Sequence, residues 1–568
     1  MFRRKSFSSL FTRVSLTAIT LASLAFLIAC GSSSNSADPP PSGGFNNSNL
    51  NGTYVFAVTG TDFTNFSQTG SSSFFGIGGT LSANGSGGLT GTIDVNDPAL
   101  ESYVGSSGPV TGLAANGTYN ITSDGRGTGS VSTTINNHSY TFGLDFVLTS
   151  SSHAVITRFD GNGTGSGTMD AASSEVSQSA IAGSYAFVLS GVDSVGNPLG
   201  TIGTLTLGAN GAVTSGVQDF NDNGDSNFLA AVPLQTSSMV NIGSTPGRAQ
   251  LTTTTSFGTL NFDVWVIGPS HLKLIETDTA GPVLSGDAYV STGQSFPTGT
   301  LVYTMNGMDT VRLPLALGGY FNSSNPSASG LEDVNDFGWI AQSPSVASIV
   351  LSPKANRSIV TFSGMYNGGW NQSSPGTTGT YTFAAYPFSY GSRGVGVVLL
   401  EVDSLGGITS GTAYLQTSTS LASSQGYGLN LSGDNRWGEA DMIAEFTATS
   451  DDMTGLYDVN NSGALVSDQQ FGTSNSSTSD TYSVGTSGRG TAQIPLQTTN
   501  NSILGTLDLT FYTIDGSNFI FIETDSNQVS TGVFEQQNSS SSTLAAPLPQ
   551  FNMANGANSS SSLQKKQE

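Results

Sequence analysis

The sequence predicts an all-β chain of four tandem antiparallel domains of about 110–125 residues, each a small eight-stranded up-and-down barrel, with a β-sandwich as the alternative. Three observations predict it. The composition suits strands and turns: of 568 residues 72 are Gly, only 10% are charged, and 31 Phe with 17 Tyr supply apolar bulk. A set of short motifs recurs four times between residues 50 and 537. Within the opening motif, large side chains alternate with a period of two, the spacing of a strand with one buried face.

That opening strand reads Tyr54-Val-Phe-Ala-Val-Thr-Gly60, Tyr185-Ala-Phe-Val-Leu-Ser-Gly191, Leu301-Val-Tyr-Thr-Met-Asn-Gly307 and Tyr427-Gly-Leu-Asn-Leu-Ser-Gly433, with closing glycines 131, 116 and 126 residues apart. Tyr54, Phe56 and Val58 share one parity; so do Tyr427, Leu429 and Leu431, opposite Gly428 and Asn430. The second motif is Gly-x-x-Asp-x-Asn, ending in Asn96, Asn221, Asn335 and Asn460. The third is a turn with Arg: Gly125-Arg126, Gly247-Arg248 and Gly488-Arg489, with Asn356-Arg357 a weaker version. The fourth is an apolar strand ending in acid, with Glu276/Asp278, Glu401/Asp403 and Glu523/Asp525; the first copy departs with Arg158 and Asp160. Each unit closes on a Gly-led strand such as Gly286-Asp-Ala-Tyr-Val. Closely spaced strands with Gly, Asn, Asp and Ser turns favour antiparallel up-and-down pairing, and closure removes sticky edges. The domain bounds follow as 50–172, 181–291, 298–416 and 424–537, read as four beads on a tether.

The flanks read differently. Arg3, Arg4, Lys5 and Arg13 form a basic segment before an apolar run that ends Leu27-Ile28-Ala29-Cys30. This resembles the bacterial lipoprotein signal with its lipobox. The resemblance implies cleavage after residue 29, lipidation of Cys30, the chain's one cysteine, and membrane attachment through that residue; Gly31 after the Cys implies the outer membrane. Residues 30–49 then read as a flexible tether and 538–568, rich in Ser and Asn, as a disordered tail. The motif set as a whole resembles a group of uncharacterised bacterial surface lipoproteins with tandem Gly-x-Tyr-x-Phe, Asp-x-Asn, Gly-Arg-Gly-Thr and Ile-Glu-x-Asp units. That resemblance implies a cell-envelope address and no particular activity.

Composition excludes several functions. The net charge is −23, and only Lys273 and Lys354 are lysines between Gly31 and Ser562, so a nucleic acid partner is excluded by the lack of clustered cations. With Cys30 lipidated, no thiol remains for disulfides or catalysis. His138, His153 and His271 do not recur between repeats and read as satisfied or solvated side chains. No zincin, nucleophile-elbow or phosphate-loop motif occurs. The acidic i, i+2 pairs would suit a carboxylate-based hydrolase in spacing, but one active site per repeat is implausible and capping or Arg pairing is the expected role.

Two candidate sites remain. Asp219-x-Asn221-x-Asn223-Gly224-Asp225 matches the first half of a calcium loop, with a self-capping turn as the alternative. Calcium is the only cofactor this suggests. Tyr366, Trp370 and Trp437 lie in Gly/Asn-rich stretches and are candidate ligand-contact aromatics, with core packing as the alternative. The expectation is a non-catalytic surface protein presenting its β-domains to polysaccharide, matrix or another surface protein. A carrier of small apolar ligands inside the barrels is the second reading, and a hydrolase the third.

Overall fold

The protein is described by a computed structural model covering residues 44–64, 72–173, 176–222, 229–235, 238–243, 245, 247–293, 295–324, 328–354, 357–366, 378–391, 394–403, 407–435, 437–450, 452–472, 481–497 and 503–539. In the first domain β1 (Asn51–Asp62), β2 (Ser73–Asn84), β3 (Gly88–Asn96), β4 (Val110–Ile121), β5 (Arg126–Ile135), β6 (His138–Ser150), β7 (His153–Asp160) and β8 (Gly163–Ala171) form a closed antiparallel barrel. Each strand pairs with its sequence neighbours, and β8 returns to β1. One short helix, α1 (Pro98–Val104), follows β3 and is capped by Asp97.

The third domain, from Thr300–Met308 to Ile408–Leu415, closes in the same order. The second, from Gly183–Val192 to Val283–Val290, and the fourth, from Gln425–Asn435 to Gln528–Gln536, are nine-stranded. Their strand at the β4 position is broken in two, Leu229–Pro233 with Met239–Ile242 and Ala464–Phe471 with Thr481–Val484. In the fourth domain Phe471 pairs with Leu496 and bridges the break; in the second, Ala212 pairs with Met239, and Val213 N donates to the Ser238 carbonyl. Sequential order with first-to-last pairing is the barrel topology, and it removes the sandwich alternative.

The period-two reading of the opening strand holds. Tyr54, Phe56 and Val58 point into the first barrel with Phe75, Phe142 and Phe146; Tyr427, Leu429 and Leu431 do the same in the fourth. Burying each such side chain contributes about 1.5–3 kcal/mol. The opposite face is buried as well, which the strand pattern did not reveal. Val55 packs on Trp265 and Ile267 of the second domain, and Gly428 lies where a Cβ would come within 2.8 Å of Val147 in the first. Outward-facing Val188, Val302, Tyr386, Tyr414, Ile443 and Val533 belong to one apolar cluster drawn from all four domains.

The domains are therefore not separate beads. They form a closed ring through one interface used four times. The Asn that ends the β3 position inserts its amide into the turn between the β7 and β8 positions of the next domain. Asn96 donates to the Glu276 and Pro282 carbonyls, Asn221 to those of Glu401 and Gly407, and Asn335 to those of Glu523, Asp525 and Gln528. Asn460 of the fourth domain completes the circle on Arg158, Asp160 and Gly163 of the first, at 3.0, 3.2 and 2.7 Å. Beside it the Asp of the same motif meets the Arg that opens the next domain's β5 position: Asp94 with Arg248, Asp219 with Arg357, Asp333 with Arg489, and Asp458 with Arg126. Gly125, Gly247 and Gly488 place that Arg from φ values of 91°, 74° and 78°, a region that glycine enters at little cost.

Both ends of the described chain meet at one face of the ring. Phe45 is buried in the first barrel, Tyr119 donates to the Asn47 carbonyl, and Asn49 reaches the Ser539 carbonyl at 3.3 Å. Residues 44–49, expected as tether, are thus part of the fold. Since each domain has an even number of strand positions, the chain enters and leaves every barrel at this same end.

Arg489→Ala is expected to leave the carboxylate of Asp333 buried without its cation, while Tyr512 Oη and Ser343 N still donate to it. A loss toward the lower end of about 3–5 kcal/mol follows, read from the midpoint of denaturant unfolding.

Candidate functional site

The motifs singled out in the sequence are mostly absorbed by the ring. Asp219 accepts from Ala231 N at 2.8 Å and from Tyr386 Oη, and pairs with Arg357, while Asn221 is held by two carbonyls of the third domain. Both lie in a strand, Val213–Asp222, rather than a turn. Their oxygens and amide are already committed to the neighbouring domain; Asn223 and Asp225 fall outside the described residues. Cys30 and Trp370 fall outside them too.

The strand-end acids cap and seal. Asp278 accepts from Asn261 N at 2.9 Å and Asp403 from Thr382 N at 2.8 Å, each holding the start of the β6-position strand. Glu276 accepts from Asn96 Nδ2 at 2.9 Å, Glu401 from Thr409 and Glu523 from Ser530. The departure in the first copy has a physical reason. Arg158 lies between Asp62 at 2.8 Å and Asp160 at 3.0 Å and over the Phe75 ring. Its neighbour Asn460 bonds only its backbone carbonyl, so the side chain at this position is free to change. Tyr366 is a packing residue: it is buried and stacked on Trp339, ring centroids 4.0 Å apart.

Trp437 differs. It is 66% exposed, at the tip of the hairpin joining the first two strands of the fourth domain. Val195, 78% exposed, and Val311, 52% exposed, occupy the equivalent tips in the second and third domains. Trp437 and Val195 face a cleft of about 760 Å³ with Phe63 and Phe74 of the first domain. Its polar lining is Asp193, Asp434, Glu439, Asn162 and a series of hydroxyls, including Thr61, Thr64, Ser73, Ser194 and Ser462. Strand direction puts this cleft at the opposite end of the barrels from the chain ends.

The cleft floor is the seam where the fourth domain meets the first. Thr61 Oγ1 donates to Glu439, Thr164 and Ser166 donate to Asp441 at 2.6 and 2.9 Å, and Asn430 donates to the Ile156 carbonyl at 2.8 Å. Burial pushes the Asp434 carboxyl up to about 7, with the Asp441 charge adding to the effect. Burial and the same neighbour hold Glu439 well above the usual range. A flat exposed ring beside carboxylate and hydroxyl acceptors can stack on a sugar and accept bonds from its hydroxyls. Sequence reading missed Asp434, Glu439 and Val195, because nothing local distinguishes a hairpin carboxylate or valine that lines a cleft from one in solvent.

Buried acids give the protein an unusual pH response. Burial raises Glu276 to about 9, Glu332 to about 8 and Glu445 to about 8. The native state then binds more protons than the unfolded chain between those values and the ordinary range near 4.3, so stability falls as pH rises. The contribution is fully present below about pH 4 and is lost progressively up to about pH 9. The melting temperature by scanning calorimetry is expected to decrease steadily from pH 5 to pH 9.

No protein-family model matches the chain, and no curated protein matches it. Among solved structures it is similar to the crystal structure of the isotype 1 transferrin binding protein B from serogroup B Neisseria meningitidis, at 10% identity over 64% of this chain and 75% of that chain. The TM-score of 0.19 makes that a likeness on which no functional argument rests.

Proposed function

We propose that the chain is a non-catalytic, lipid-anchored protein of the cell envelope that presents its four-domain ring for contact with saccharide or matrix. The observation that carries this reading is Trp437, exposed at the rim of the 760 Å³ cleft among carboxylates and hydroxyls. The lipobox ending in Cys30 supports the anchor. The geometry suits it: the chain enters at the face opposite the cleft, so an anchored ring would turn the cleft away from the membrane. Calcium is not needed for this reading.

Packing favours it over the carrier. The barrel interiors are filled by aromatic contacts such as Phe519 on Phe534, centroids 4.4 Å apart, and Phe362 edge-on to Phe383. The repeated acid pairs, which a hydrolase would require, are engaged in caps and domain contacts instead.

Retention on a panel of insoluble polysaccharides and cell-wall preparations tests the reading. Saturable retention on at least one polymer is expected, reduced about tenfold or more by Trp437→Ala, since one stacking aromatic at a site centre commonly carries 1.4 kcal/mol or more. The melting temperature of that variant should match the parent, because the indole is exposed. Retention on no polymer would overturn the saccharide reading.

A further inference from the structure

The charge inventory of the cleft narrows its ligand. Asp193, Asp434 and Glu439 line it, and no Lys, Arg or His is among its described lining residues. Asp193 is satisfied locally by Val195 N, Asn197 N and Asn197 Nδ2. Asp434 is not: its carboxylate accepts no hydrogen bond from a described residue. Glu439 has the Thr61 hydroxyl as its partner, and Asp441 beneath it is met by the hydroxyls of Thr164 and Ser166 from the first domain and of Ser432 from its own, with no cation among the described residues paired to it. The nearby guanidinium of Arg158 is already enclosed by Asp62 and Asp160.

A cavity walled by acids without a counter-charge disfavours anionic polymers outright. A neutral sugar would leave these acids without a counter-charge: burial raises Asp434 to about 7 and Asp441 to about 6, and like-charge repulsion adds to the shift at Asp434 and Glu439. An ammonium group relieves that repulsion and forms charge-assisted hydrogen bonds, about twice as strong as neutral ones. The exposed indole and the Ser/Thr rim call for a ring with hydroxyls rather than for a bare amine.

We propose that the cleft binds an amine-bearing saccharide, a 2-amino-2-deoxy sugar whose ammonium lies against Asp434 and Glu439 while its ring lies on Trp437. The proposal rests on the saccharide reading above and adds the ligand class.

Isothermal titration of the full-length chain in detergent separates the outcomes. The probes are a hexamer of glucosamine, the hexamer of N-acetylglucosamine, which keeps the rings and loses the charge, and hexalysine, which keeps the charge and loses the rings. The glucosamine hexamer is expected to bind at least about tenfold tighter than either control, with Asp434→Asn costing about tenfold and Trp437→Ala a similar factor. Asp434 makes no described hydrogen bond, so its Asn variant should fold with an unchanged melting temperature. Equal binding of the acetylated hexamer would overturn the amine inference and leave the saccharide reading standing. Equal binding of hexalysine would show that charge alone is read and would overturn the ligand class. Glucosamine binding unchanged by both variants would place it on the acidic surface at large and overturn the site. No binding of any probe would overturn the inference, while the polysaccharide panel decides the broader reading on its own.

Discussion

The ring depends on a side-chain amide whose N–H groups donate across the boundary into the next domain. Each Asn at the end of the β3 position carries two N–H donors into the next domain's β7–β8 turn, where two or three backbone carbonyls converge on it. Left exposed in a separate barrel, those carbonyls would be hydrated at no cost. Buried in the contact they need a donor, and leaving a buried carbonyl unpaired costs about 1–3 kcal/mol. The amide and the carbonyls therefore require each other, and the paired Asp and Arg beside them share that dependence. A head-to-tail contact repeated between like units makes either a filament or a ring; here the rotation closes after four.

Closure explains features that would otherwise read as waste. Strands that are buried on one face by the barrel are buried on the other by a neighbouring domain, so the chain spends Val, Tyr and Ile on outward positions such as Val188, Tyr386 and Ile443. The scarcity of cations follows as well. The repeated Arg residues are not surface charges but partners of buried Asp residues, and outside them the chain needs few. The seam between the fourth and first domains, which no linker joins, carries additional polar contacts: His153 lies 3.4 Å from Glu535, and Gln537 donates to the Asp124 carbonyl. Burial opposes charge on His153, but Glu535 and Asp170 lift it to about 9, so it remains a cation across the physiological range and holds the seam.

The ring also creates the cleft. No single barrel contains it; hairpins from the first, second and fourth domains converge to form it. Its floor is held by Thr and Ser hydroxyls of one domain on carboxylates of another. A site made this way is rigid only while the ring is closed, which ties ligand contact to the same Asn and Arg contacts that hold the domains together.

The sequence by itself determined the repeat, the strand parity and the barrel class, because these depend on local spacing: large residues at i, i+2 and i+4, and turns where Gly, Asn and Asp fall. Tyr54, Phe56 and Val58 were legible as an inward face without any knowledge of a partner. The Asp-x-Asn and Gly-Arg motifs were legible as recurrent but not as complementary. Their one-per-unit recurrence was the available signal, yet which Asp meets which Arg is a fact about residues 138 to 332 positions apart. Only the tertiary structure decided that the domains close on each other, that Asp219 faces an arginine, that Tyr366 stacks inside a wall, and that Trp437 is exposed at the rim of a cleft. The physical reason is that burial of a polar group is settled by what lies across the interface, and the period of a strand encodes only which side it faces.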